Sequence, residues 1–306
     1  MRETAVLFGE MKSLVGVLTD PPPEAKKTSA PGIILLNPGI VHRVGLNRLH
    51  VKMARRLAEI GFMVFRFDFS GIGDSKTRED HLPFFEGRIR ETQEAMDYLA
   101  GARGIDRFVL LGICSGAAIS YKTACRDPRV VGAVLINGRG HLGGDDEEQS
   151  LYVRERALKR HYWRILLSSS FSAKNWWKAM TGKVEYGKIL RSMLALRLGG
   201  LPRGNHDRTK VVRGLQDSLA RVERLAERGV RLFVIHSEGD EGLDYLHIVL
   251  GGELQRLINQ RVLKLETIAG ADHIFTLLWS QEHLLNLVYS WAREIAETAR
   301  PCLSAK

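Results

Sequence analysis

Cys114 has a glycine two residues away on either side, in Gly112-Ile113-Cys114-Ser115-Gly116. An apolar run at 108–113 leads in and small-residue sequence leads out, so the stretch reads as a strand turning sharply into a helix. A nucleophile held on such a turn sits in strained backbone, and bulk two residues before or after it would strike neighbouring backbone. Glycine at both places meets that demand with the thiol at the apex. The other register puts Ser115 at the apex and forces Ile113 into the crowded position. A plainer reading makes Cys114 a small buried hydrophobe. The glycines favour the thiol as nucleophile, and a helix N-terminus just beyond it would stabilise a thiolate. Cys125 and Cys302 lack such surroundings: the first reads as helix packing, the second as a tail residue.

A nucleophile needs a base, and the base needs an orienting carboxylate. On a strand–elbow–helix scaffold the chain order is nucleophile, acid, histidine. The apolar run "RLFVIHS" is followed by "EGDEGLD", which offers Glu238, Asp240, Glu241 and Asp244. Asp240 falls just past the strand end, where ligand-facing residues of open α/β sheets collect; Asp244 reads as a helix cap. After the last strand run comes "AGADHIF", which places His273 in a turn before a helix as the base, with helix capping as its other reading. An oxyanion would take one hydrogen bond from the amide of Ser115, whose hydroxyl reads as incidental. The second donor falls in "LLNPGIVHRVG", where Gly39 lets the chain turn and the amide of Ile40, or of Val41, faces the site. His42 and Arg43 either line the entrance or are solvated.

The elements that must hold these residues are legible as short apolar runs. An opening hairpin is expected from "AVLF" and "SLVGVLT". Buried strands are expected at 32–37, 62–68, 108–113, 130–137, 231–237 and 261–268. Their near-continuous hydrophobicity suits parallel strands covered on both faces. Amphipathic segments at 46–60, 86–102, 115–126, 244–258 and 281–297 alternate with them, which gives an α/β doubly wound sheet. The stretch 20–32 reads as a proline-rich surface loop. From about 141 to 228 no strand is expected. Helical, aromatic-rich sequence there reads as a cap inserted after the 130–137 strand, so 1–140 and 229–306 form the core domain and 141–228 the lid.

The 306 residues are 44% hydrophobic and 26% charged, an ordinary globular composition. No apolar run long enough to span a bilayer is present, and the first residues lack a signal-peptide core. Three cysteines do not make a disulfide framework and fit a cytoplasmic location. The net charge of +10 concentrates at 150–228, which carries an excess of about a dozen positive charges. That is either a solvated face or a surface for an acidic partner such as an acyl carrier protein or coenzyme A. Nucleic-acid signatures, metal motifs and a dinucleotide fingerprint are all missing, so no cofactor is expected.

Taken together, "GICSG", "FRFDFSGIGDS", "HSEGD" and "GADH" make the chain resemble an α/β-hydrolase from about residue 5 to 297. The pair "NPGIVHRVG" and "RFDFSGIGDS" is similar to bacterial serine-aminopeptidase-like and exosortase-associated hydrolases. The resemblance implies that Asp68, Gly71, Gly73, Asp74 and Ser75 shape a turn rather than react. Two departures stand out. Cysteine replaces the usual serine, as in dienelactone hydrolases, polyhydroxyalkanoate synthases and some carrier-associated thioesterases. Asn37-Pro38-Gly39 replaces the usual His-Gly pair of the oxyanion loop.

The expected function is acyl transfer or hydrolysis on an ester or thioester, through a Cys114-His273-Asp240 triad and an acyl-cysteine. Trp163, Trp176, Trp177 and Met180 of the cap would line an acyl pocket, or else pack cap helices together. The rival expectation is a non-catalytic hydrolase-fold protein that binds a ligand or partner.

Overall fold

Strands form where the chain is apolar without interruption. A computed structural model describes residues 1–25, 30–138, 205–238 and 240–298. The strands are β1 (Arg2–Phe8), β2 (Leu14–Asp20), β3 (Gly32–Leu36), β4 (Val64–Phe67), β5 (Phe108–Ile113), β6 (Val130–Ile136), β7 (Arg231–Ser237) and β8 (Leu263–Ile268). They make one sheet in the order β1-β2-β4-β3-β5-β6-β7-β8. β1 pairs antiparallel with β2, and β2 antiparallel with β4. Every other pairing is parallel. All residues of β3 and β5 are buried, as a central parallel strand requires.

The helices are α1 (Leu49–Glu59), α2 (Phe84–Arg103), α3 (Ser115–Arg126), α4 (Asn205–Glu227), α5 (Gly242–Leu250), α6 (Glu253–Asn259) and α7 (Leu278–Thr298). Side chains on a strand alternate between faces. One face of the sheet presents Ile33, Leu35, Val109, Leu111, Ile113, Val134, Ile136, Phe233 and Ile235. These pack with Leu49, Met53 and Leu57 of α1 and with Leu284, Val288 and Trp291 of α7. The Trp291 ring stacks on Phe233 at 5.8 Å. Gly112 points to the other face, directly at Gly116 and Ala117 of α3. Each fully buried Leu, Ile or Phe here contributes roughly 1.5–3 kcal/mol.

One expectation fails. The segment 244–258 is two helices, because the chain takes φ 52°, ψ −129° at Gly251. Glycine alone enters that region cheaply, and the apolar periodicity runs across the break without marking it.

The chain divides into two compact units. The first is Met1–His141 with Arg221–Asp240 and Gly252–Lys306; the second is Leu142–Ala220 with Glu241–Gly251. The whole sheet, Cys114, Asp240 and His273 belong to the first. Of the expected cap, the part at 141–204 lies outside the described residues, and so do Trp163, Trp176, Trp177 and Met180. Its last part is α4. Among the described residues, no helix is long and apolar enough to cross a membrane.

Candidate active site

β5 ends at Ile113, and α3 begins at Ser115, so a single residue makes the turn. That residue is Cys114, with φ 55° and ψ −117°. A non-glycine residue held there stores of order 1–3 kcal/mol of backbone strain. The two glycines make the bend sterically feasible. A Cβ on Gly112 would lie 2.1 Å from the carbonyl of Gly116, and one on Gly116 would lie 2.3 Å from the carbonyl oxygen of Leu36. Cys114 is thereby lifted half out of the core, with its amide donating to Ile136 O at 2.8 Å.

His273 follows β8 and Asp240 follows β7. The structure brings them together: His273 Nδ1 donates to Asp240 Oδ2 at 2.6 Å. Asp240 is buried, while the His273 side chain is 29% exposed. The thiol of Cys114 lies near enough to the imidazole to favour its charged form. The bond to Asp240 and then the nearby thiol of Cys114 push His273 from its ordinary value of 6.5 up to about 9, against the opposing effect of burial. At neutral pH the ring is therefore held as imidazolium beside the sulfur. Cys125 contrasts with this: burial pushes its thiol up, away from thiolate.

The loop after β3 approaches the elbow through a contact that corrects one expectation. The hydroxyl of Ser115 is not incidental; it accepts from the amide of Gly39 at 2.6 Å. The amide of Val41 donates to Pro38 O at 3.0 Å. The amides of Ile40 and His42 have no hydrogen-bond partner among the described residues, and of the two Ile40 is nearer the Gly39 turn in sequence. Ile40 is 92% exposed. Asn37 is buried and donates to Phe67 O at 2.7 Å, which fastens the loop to β4.

Asp68 fixes the rest of this loop. Its buried carboxylate accepts from the Arg43 amide at 2.5 Å, from the Arg43 guanidinium, and from the Asp74 amide at 3.1 Å. Arg43 also reaches Asp74 at 2.6 Å. Ser75 Oγ donates to Asp68 O and accepts from Val15 N. These residues build the turn. Arg43 is ion-paired, and His42 Nδ1 folds back to accept from Val44 N at 3.3 Å.

Two neighbours escaped the sequence reading. His236 is buried on β7, with Nδ1 3.3 Å from Asp240 Oδ1 at an angle that makes no hydrogen bond. Its place four residues before Asp240 was the available signal. Asn137, just past β6, contacts the backbone of both the His273 and the Asp240 segments. An asparagine closing an apolar strand run was its only mark.

A mostly parallel sheet with a tight strand-to-helix turn after β5, an acidic residue after β7 and a histidine after β8 is the architecture of the α/β-hydrolase fold. Residues 29–162 match the model of the serine aminopeptidase family, S33. Comparison with curated proteins finds no match. Solved structures with the same fold include proline iminopeptidase from Mycobacterium smegmatis, at 16% identity and TM-score 0.55, covering 98% of this chain and 100% of that one. An esterase from Pyrococcus furiosus is similar at 14% identity and TM-score 0.53, over 96% of this chain and 90% of that one. A dienelactone hydrolase from Anabaena variabilis is similar at 14% identity and TM-score 0.52, over 96% and 97%.

Proposed function

We propose that the chain is a hydrolase or acyltransferase acting on esters or thioesters through Cys114. The observation that carries this reading is the 2.6 Å bond from His273 to buried Asp240, with the thiol of Cys114 at the β5–α3 turn near enough to favour the charged imidazole. The thiolate attacks the carbonyl carbon, and a carbon–sulfur bond forms as the carbonyl π electrons move onto oxygen. The amides of Ser115, at the helix N-terminus, and of Ile40 donate to that oxygen. When the carbonyl re-forms, the alcohol or thiol leaves with the proton of the His273 imidazolium. The neutral imidazole then accepts a proton from water or an acceptor as that group attacks the acyl-cysteine. The acyl product is released, and the thiolate–imidazolium pair returns. Asp240 holds the ring in the tautomer this cycle needs.

The choice of cysteine supports thioester substrates. An acyl-cysteine is itself a thioester, so exchange with another thiol ester is nearly balanced in energy, and the acyl group persists long enough to be passed on. The basic stretch at 150–228 fits an acidic carrier such as coenzyme A or an acyl carrier protein.

Iodoacetamide labelling followed by peptide mapping tests the reactive pair. A free thiol is only a few per cent thiolate at pH 7. Cys114 is expected to react about tenfold faster than Cys125, and His273→Ala is expected to remove that advantage. Equal reactivity of Cys114 and Cys125 in the native protein would overturn the proposal and leave the fold as a ligand-binding scaffold.

A further inference from the structure

Cys114, Asp240 and His273 come from three different strand ends, and nothing in the sequence of any one of them sets their spacing. The fourth strand end in this row, at Ile136 and Asn137 after β6, is bonded to all three segments. Ile136 O accepts from the amide of Cys114 at 2.8 Å. The amide of Asn137 donates to Ile235 O on β7 at 2.9 Å. The Asn137 carboxamide then does two things at once. Its Nδ2 donates to the carbonyl oxygen of His273 at 2.7 Å, and its Oδ1 accepts from the amide of Ser237 at 2.7 Å. Ser237 O in turn accepts from the amide of Asp240 at 3.0 Å.

Asn137 is fully buried and holds φ 46°. Left-handed backbone suits asparagine better than other side-chain-bearing residues. The carboxamide is also the neutral group that donates and accepts in one plane, as these two backbone partners demand. A leucine or valine here would leave a part-buried carbonyl and a buried amide unpaired.

We propose that Asn137 is a positioning residue for the reaction: it fixes the backbone of His273 against the turn that carries Asp240, and so sets the reach of the imidazole to Cys114. This rests on the reading of Cys114, His273 and Asp240 as the reacting set. Asn137 touches none of the reacting atoms and works through His273.

Two variants test it. Asn137→Gly accepts the positive φ without strain and removes both side-chain bonds. Asn137→Asp keeps an acceptor for Ser237 N but has no donor for His273 O. Both are compared with wild type and His273→Ala by the pH dependence of Cys114 alkylation with iodoacetamide. They are also compared by kcat and KM on a butanoyl thioester of N-acetylcysteamine. Displacement of a reacting group by an ångström costs up to about a hundredfold. We expect kcat to fall about tenfold or more with KM nearly constant, and the alkylation profile to move toward that of His273→Ala. A merely structural role predicts lower thermal stability with an unchanged alkylation profile and kcat, and that result in either folded variant overturns the proposal. Should the glycine variant fail to fold, the aspartate variant, with one bond retained, decides. His273→Ala separates the two claims. If it leaves alkylation unchanged, the thiol–imidazole reading falls. If it slows alkylation while both Asn137 variants match wild type, only the positioning role falls.

Discussion

Asp240 meets His273 at 2.6 Å from a site closed to water, and this contact decides what the imidazole does at neutral pH. Asp240 and Cys114 both favour the charged ring, so protonation persists up to about 9 rather than 6.5. The sign follows directly. A raised histidine keeps its proton as pH rises through neutrality and loses it only near the raised value. Protonation of the leaving group is then sustained to alkaline pH, and the expected kcat/KM profile has its falling limb near pH 9. Asp240→Asn removes the largest stabilising contact, so its falling limb moves to lower pH. A limb near 6.5 in the wild type would contradict the assignment. The residue types at 114, 240 and 273 were legible because a thiol between glycines, an acid after one strand and a histidine after another carry chemistry on their face. Asn137 and the hydroxyl of Ser115 were not, because each acts on the backbone of a segment brought close only by folding.

At the scale of elements, the elbow is a problem of backbone clearance. β3, β5 and α3 approach so closely at Gly112 and Gly116 that a methyl group would lie inside the contact distance of carbonyl groups. Gly116→Ala is therefore expected to destabilise the protein by about 1–3 kcal/mol in chemical denaturation. Gly101, within α2, has nothing within 4 Å of an added Cβ, and Gly101→Ala is expected to stabilise by about 0.5–1 kcal/mol. If Gly116→Ala proves as harmless as Gly101→Ala, the account of the turn is wrong. The strands were readable because burial on both faces leaves no polar interruption, as in β3 and β5. The split of 244–258 into α5 and α6 was not, because one glycine dihedral at 251 overrides an otherwise continuous helical pattern.

The molecule as a whole pairs a widely shared fold with a cysteine at the turn between β5 and α3, the residue proposed to attack the substrate. Proteins of that fold at 13–18% identity cover nearly the full chain, and such likeness settles architecture, not reaction. The sheet carries the proposed reacting groups at one end, where open parallel sheets place ligand-facing residues, and Asp68 and Asn137 tie down the loops gathered there. Basic charge is concentrated at 150–228, away from the sequence that builds the sheet. The central claim is that the sulfur of Cys114 receives an acyl group. Intact-mass spectrometry after brief incubation with a panel of acyl thioesters and esters, followed by peptide mapping, measures this directly. The account expects an added mass equal to one acyl group on Cys114, absent in Cys114→Ala and slower to form in His273→Ala. An adduct on Ser115, or turnover of any of these substrates by Cys114→Ala at the wild-type rate, would contradict it.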